Sequence, residues 1–198
     1  MNKPFAQSCE ENKAVILAQL RKLFEQSQQC LEIGSGTGQH AVHFAEHLPH
    51  IHWQPTELKE NIAGIKLWIQ ESTANNILNP VELDIRNEAW PFRSLFDAAF
   101  TANTLHIISL ELVEKLFTGA GKALTSQGLL VTYGPFNYNG EFSSESNARF
   151  DLWLKQRDPL SGIRDIDELK KFAADNEIIL INDIEMPVNN RLLVWQKQ

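Results

Sequence analysis

CLEIGSGTGQH, residues Cys30–His40, decides the fold. A short apolar run containing Leu31 and Ile33 ends in three alternating glycines, Gly34, Gly36 and Gly38, and the amphipathic segment AVHFAEHL follows at once. This is the pattern of a buried strand that turns sharply into a helix whose N-terminus faces a ligand. Glycine belongs at such a turn because the backbone needs φ > 0 and because a Cβ would keep a ligand away from the amides. Those amides and the positive end of the helix dipole favour a carboxylate, a phosphate or a ribose hydroxyl. The segment therefore predicts a nucleotide-like ligand.

Spacing narrows the choice. A dinucleotide fingerprint has its third glycine three residues after the second. That position is Gln39 here, and Gly38 comes one residue early. Glu32 stands two positions before Gly34, inside the strand end. The resulting E-x-G-x-G-x-G resembles motif I of the class I S-adenosylmethionine-dependent methyltransferases. The resemblance implies that Gly34, Ser35, Gly36 and Gly38 wrap the methionine part of that cofactor while Glu32 helps to hold its ammonium group. A carboxylate aimed at a pyrophosphate repels it, whereas aimed at a sulfonium or ammonium it attracts. A glycine turn with no ligand would carry three glycines and a buried acid that each cost stability without a use.

Composition sets the outer bounds. A chain of 198 residues that is 43% hydrophobic suits one well-buried domain, residues 1–198. It has no apolar run of the ~18–20 residues that span a bilayer. The opening MNKPFAQSCEENK lacks the apolar core of a signal peptide. Cys9 and Cys30 form neither a disulfide framework nor a C-x-x-C pair, so a reducing, cytoplasmic setting is expected. A formal charge of −7 argues against a sequence-independent hold on nucleic acid.

Outward from the glycine turn, residues 8–26 carry apolar side chains at helical spacing, with Ser8 and Glu11 as a capping box. After the turn a helix runs to about Leu48, with His40, His43 and His47 on one face. Three histidines over two turns span ~10 Å, too far for one ion, and no acid or thiol completes a site. A solvated polar face is expected there, and no metal. IHWQPTEL reads as the second strand, and Glu57 lies 21 residues after Gly36. An acid at that distance accepts hydrogen bonds from ribose hydroxyls, and its position and context favour that role over capping the helix that follows. VELDI, residues 81–85, reads as a third strand ending near Asp84. The methyltransferase resemblance implies that Asp84 accepts from the adenine amino group and that the amide of Ile85 faces the ring.

FDAAFTAN, Phe96–Asn103, is a fourth strand with an apolar centre suited to burial on both faces. In open α/β sheets the ligand lies beyond the carboxyl ends of the strands, so Asn103 and His106 fall near the chemistry. The resemblance puts Asn103 at the methionine end of the cofactor. His106 is a candidate base, or a packed residue, and Tyr133 at the end of the fifth strand (GLLVTYG) is a second catalytic candidate. Residues 135–165 exceed a simple crossover and contain a helix over about 144–156, so they predict a lid or substrate wall. Asn137, Asn147, Arg157 and Arg164 are its candidate substrate contacts. Arg164 suits an anionic group or a neighbouring aspartate. A helix in DIDELKKFAADN and the strands EIILINDIEMP and RLLVWQK, joined by PVNN, close the chain with a hairpin.

SCEENK, LEIGSGTGQH, PTE, LDI, ANTLHI, YGPF, SNARFD and RDPLSGIRD together resemble the uncharacterised methyltransferase-like protein 26 family over nearly the whole chain. The expectation is a Rossmann-like, doubly wound, mostly parallel α/β sheet of about seven strands with a C-terminal antiparallel hairpin. It binds S-adenosylmethionine and methylates a small molecule or a protein side chain, with no nucleic acid or membrane as partner. The rivals are a non-catalytic S-adenosylmethionine-binding module and an NAD-dependent oxidoreductase. Missing the third glycine of the fingerprint and carrying Glu32 both count against the oxidoreductase.

Overall fold

The computed structural model describes residues 3–198. In chain order the elements are α1 (Gln7–Leu23), β1 (Gln29–Ile33), α2 (Gln39–His47), β2 (His52–Glu57), α3 (Lys59–Glu71), β3 (Val81–Glu82), β4 (Phe96–Ala102) and α4 (Leu110–Ala123). They continue as β5 (Leu124–Gly134), β6 (Phe136–Tyr138), β7 (Glu141–Phe142), α5 (Glu145–Arg157), β8 (Arg164–Asp165), α6 (Ile166–Ala174), β9 (Ile178–Met186) and β10 (Asn190–Lys197). Seven strands form one sheet in the order β3-β2-β1-β4-β5-β10-β9. The first four contacts are parallel, and β10 runs antiparallel to both β5 and β9. This is the expected α/β class with its antiparallel close. Among the described residues no helix is long and apolar enough to cross a membrane.

Apolar side chains leave both faces of the central strands, as burial between two helix layers requires. On one face Leu31, Ile33, Ala99, Leu130 and Trp195 meet α4 and α6. On the other Cys30, Ala98, Phe100, Val131 and Val194 meet α1 and α2. Each fully buried Leu, Ile or Phe contributes about 1.5–3 kcal/mol, so this two-sided packing is the main source of stability. Pro55 is tolerated inside β2 because β3 pairs with that strand only from Thr56 onward.

Four local expectations are corrected. α1 starts one residue before Ser8 and has no capping box: its N-cap is Ala6, whose N–H donates to the side-chain oxygen of Gln39 at 2.6 Å. The histidine face of α2 is solvated at His47 but not at His40. His40 is buried, stacks on Phe44 at 5.2 Å between ring centroids, and meets the Asn12 side-chain oxygen at 2.6 Å through Nε2. Burial pushes its pKa down to about 4. The third strand is only two residues long, because Arg86 captures the Asp84 side chain and turns the chain away. Lastly, residues 136–165 carry a separate three-stranded sheet, β7-β6-β8, that periodicity over such short runs does not reveal.

Trp90 closes the loop after β3 by lying flat on α4 at Gly119, where an added Cβ would fall 2.0 Å from the indole. Gly119→Ala is therefore expected to destabilise the protein by about 1–3 kcal/mol in thermal melts, despite the better helix propensity of alanine.

Candidate functional site

The strand order reverses between β1 and β4, and the loops leaving those two strands face each other there. After Ile33 the backbone takes positive φ at Gly34 (74°), Gly36 (55°) and Gly38 (91°). Ser35 holds the bend: its N–H donates to the Thr56 carbonyl at 2.8 Å and its hydroxyl to Glu32 at 2.8 Å. The three glycines do different things. A Cβ on Gly34 would sit 3.1 Å from the Thr104 hydroxyl, and one on Gly38 would sit 3.0 Å from the Ile65 backbone. At Gly36 nothing lies within 4 Å, so a Cβ would project into open cleft.

That cleft has a volume of about 670 Å³, and its wall includes Gly34, Gly36, Glu57, Asp84, Ile85 and Asn103. Glu57 accepts the Gly36 N–H at 2.8 Å and the Leu58 N–H at 2.7 Å, one on each carboxylate oxygen. Each oxygen keeps a further lone pair. The carboxylate of Asp84 accepts from Arg86 Nε at 2.8 and 2.9 Å, and this guanidinium holds it below the usual carboxylate range. Arg86 is the one basic side chain on this wall, against Glu57, Glu60 and Asp84. Among the described residues the cleft thus has acidic character and no unpaired cation.

Glu32, Ser35 and Gly38 lie outside the wall and support it from behind. Glu32 is only 2% exposed, and one oxygen accepts from both the Ser35 hydroxyl and, at 3.1 Å, the Trp53 indole N–H. Burial raises its pKa to about 7, against the lowering effect of those two hydrogen bonds. A raised pKa means that its stabilising contribution is complete below about 4.5 and is lost as pH rises through about 7. Glu32→Gln keeps an acceptor oxygen and removes the charge. It is expected to stabilise the ligand-free protein by about 2 kcal/mol at pH 8.5, roughly 4–8 °C in melting temperature, and to change little at pH 4.5.

A second cavity of about 570 Å³ adjoins the first, and the two share Asn103 and Ile107 as wall residues. Asn103 is left-handed (φ 57°), and its N–H donates to the Tyr133 carbonyl at 2.8 Å as the last rung between β4 and β5. A non-glycine residue held there is a strained position of the kind that gathers at functional sites. His106, Tyr133 and Asn147 line this cavity. The His106 ring meets Phe150 edge-on at 5.4 Å. Burial, reinforced by the charge of Arg164, pushes its pKa down to about 4, so the imidazole is neutral at pH 7. The Tyr133 hydroxyl neighbours Asn12 and Asn190, and burial raises its pKa.

The remaining substrate candidates lie elsewhere. Asn137 is buried in β6, with an unpaired side-chain oxygen. Arg157 stacks over Trp153 at 4.6 Å, outside the cavity wall. Arg164 meets neither an aspartate nor open space. Its guanidinium donates to the carbonyls of Leu105 (2.9 Å), Leu160 (2.8 Å) and Ile108. Alongside it the Gly162 N–H donates to the His106 carbonyl at 2.9 Å and the Ser161 hydroxyl to the Ile107 carbonyl at 2.6 Å. Four consecutive carbonyls, Leu105 to Ile108, are therefore held by Ser161–Arg164. Asp151 of α5 anchors that segment by accepting the Ile163 N–H at 2.8 Å. Arg164 is thus a positioning side chain for the segment that separates the two cavities.

Ile107, Phe150, Asn190 and Glu60 escaped sequence reasoning, since each comes from a different element and carries no local motif. For the Ser161–Arg164 clasp a signal did exist in the run RDPLSGIRD. Among the described residues no group of three His, Cys, Asp or Glu side chains converges as a metal site would.

A family model described as "Protein of unknown function (DUF938)" matches residues 3–197. Among solved structures, the S-adenosylmethionine-dependent methyltransferase SibL in its apo form matches at a TM-score of 0.81 with 17% identity, covering 96% of this chain and 55% of that one. An O-methyltransferase family protein from Burkholderia thailandensis matches at 0.79 with 10% identity, over 96% and 59%. Human N-acetylserotonin methyltransferase in complex with S-adenosylmethionine matches at 0.79 with 12% identity, over 96% and 53%. The chain spans a little over half the length of these relatives, and it shares their fold.

Proposed function

The chain belongs to DUF938, and from the paired cavities it carries we propose that it binds S-adenosylmethionine and transfers the methyl group to an acceptor. We further infer that residues 1–198 act as one such domain and that this family is the methyltransferase-like protein 26 family. Its two free cysteines suit a reducing cytoplasm. The observation that carries the reading is the acidic cleft at the β1/β4 reversal, open at Gly36 and adjoined by a second cavity that shares Asn103 and Ile107 as wall residues. The cleft's residues fit the cofactor. Gly36 leaves room for an approaching ligand, Glu57 has lone pairs for vicinal hydroxyls, and the acid excess suits a cationic ligand. The same acid excess, with Arg86 already paired, disfavours a pyrophosphate and hence NAD.

When bound, the cofactor supplies a methyl group already activated on a positively charged sulfur. The chain's residues then need chiefly to orient and to exclude water. Glu57 would hold the sugar, Asp84 and the Ile85 amide would meet the base, and Glu32 supports the glycine bend that would carry the amino-acid end. Asn103 and Ile107, shared by the two walls, would stand between cofactor and acceptor. Neutral His106 and the Tyr133 hydroxyl position the acceptor, with His106 free to receive its proton. The insert of α5 and β6–β8 forms the acceptor wall.

Calorimetric titration with S-adenosylhomocysteine and with NAD tests this directly. Saturable heat is expected from the first only. Heat from NAD alone, or from neither, overturns the reading. Tight binding without turnover on any metabolite or protein acceptor would favour a non-catalytic binding module.

A further inference from the structure

We propose that the second cavity takes an uncharged aromatic ring bearing a hydroxyl group, and that it rejects anionic acceptors. The inference deepens the methyltransferase reading and rests on it. Three observations carry it.

One wall offers ring faces in sequence. His106 meets Phe150 edge-on, and Phe150 stacks on Trp153 at 5.7 Å with the planes 17° apart. Trp153 is 46% exposed and Phe150 half-buried, so the aromatic run continues from the floor of the cavity to its mouth. Flat aromatic surface of this kind favours a planar ring by offset or edge contact.

The polar groups on the rest of the lining include four amides and a phenol: Asn12, Asn103, Asn147, Asn190 and Tyr133. Among the described residues the His106 imidazole makes no hydrogen bond of its own, which leaves a polar ring beside the junction with the first cleft. Such neutral groups orient a hydroxyl or carbonyl substituent without a charged partner.

Charge selects against the other classes. Among the described residues no Lys or Arg lines the cavity, and its one formal charge is Glu11, which is exposed and turned to Gln7 at 3.1 Å. The cations nearby are engaged, Arg164 with three carbonyls and Arg157 over Trp153. A carboxylate or phosphate entering here would lose its hydration and find no cationic donor on the lining to pair with. A cationic acceptor would instead face the sulfonium next door.

The test uses protein saturated with S-adenosylhomocysteine, and follows binding by calorimetry of 2-naphthol, 6-hydroxy-2-naphthoate and 6-(aminomethyl)-2-naphthol. 2-Naphthol is expected to bind at least tenfold more tightly than the naphthoate, whereas the aminomethyl analogue, with no sulfonium beside it in S-adenosylhomocysteine, should bind within a few-fold of 2-naphthol. Phe150→Ala should weaken 2-naphthol at least fivefold and leave S-adenosylhomocysteine affinity unchanged. Glu11→Lys, an exposed substitution, should tighten the naphthoate at least fivefold by placing a cation at the mouth. Equal or tighter binding of the naphthoate to the unaltered protein overturns the proposal. So does absence of 2-naphthol binding to protein that has taken up S-adenosylhomocysteine. Failure of S-adenosylhomocysteine itself to bind is a separate result, and overturns the methyltransferase reading.

Discussion

Glu57→Ala is expected to lower the affinity for S-adenosylhomocysteine by ten- to a hundredfold. The carboxylate is the one acidic group that touches both the glycine bend, through the Gly36 N–H, and the open cleft. Hydrogen bonds to a charged group contribute about 1.5–3 kcal/mol each, and every 1.4 kcal/mol is a factor of ten. Part of the loss comes from the bend itself, whose amide would be left to water. Glu57→Gln separates the contributions. It retains one acceptor oxygen, so it should recover some of the affinity but not the share due to charge. Titration calorimetry reads both variants, and an unchanged dissociation constant for Glu57→Ala would remove this residue from the cofactor site.

The second large effect belongs to Arg164. Arg164→Ala leaves the Leu105, Ile108 and Leu160 carbonyls without their donors, two of them on the segment between the cavities. Unpaired buried acceptors cost about 1–3 kcal/mol each, and neighbouring losses are not additive. A loss of about 3 kcal/mol is expected, which for a chain of this length lowers the melting temperature by roughly 6–12 °C. Arg164→Lys should recover little, because an ammonium cannot reproduce the planar fork that reaches carbonyls at both ends of a turn. Where the variant stays folded, turnover should fall more than S-adenosylhomocysteine affinity, since the segment it holds carries His106 rather than Glu57. Equal losses in both would mean that Arg164 acts only on overall stability.

The backbone architecture was legible because its signals are strong and local. Three glycines spaced by two, an acid near the end of each of the first two strands, and alternating runs of strand and helix period leave few topologies open. The acceptor cavity was less legible for a physical reason. Its wall is assembled from α1, the turn after β4, the end of β5, α5 and the β9–β10 turn, and no periodicity links segments so far apart in the chain. His40 shows the same limit at the scale of one residue. Its spacing placed it on a polar face with His43 and His47, yet α1 crosses there and Asn12 gives it a buried partner. Arg164 was legible as important within RDPLSGIRD. Its partners were not, because backbone carbonyls leave no mark in a sequence.

Trp195 is fully buried in the core, and the strand that carries it lies between β5 and β9 rather than at the sheet margin. During synthesis β9 emerges before the neighbour it needs. It must wait as an unpaired ribbon, with Ile179 and Ile181 facing water, until β10 slides in between. The sheet is therefore sealed late. Released chains truncated after Pro187 should be open to protease at β9, and a chaperone that shields extended apolar segments would find its target there.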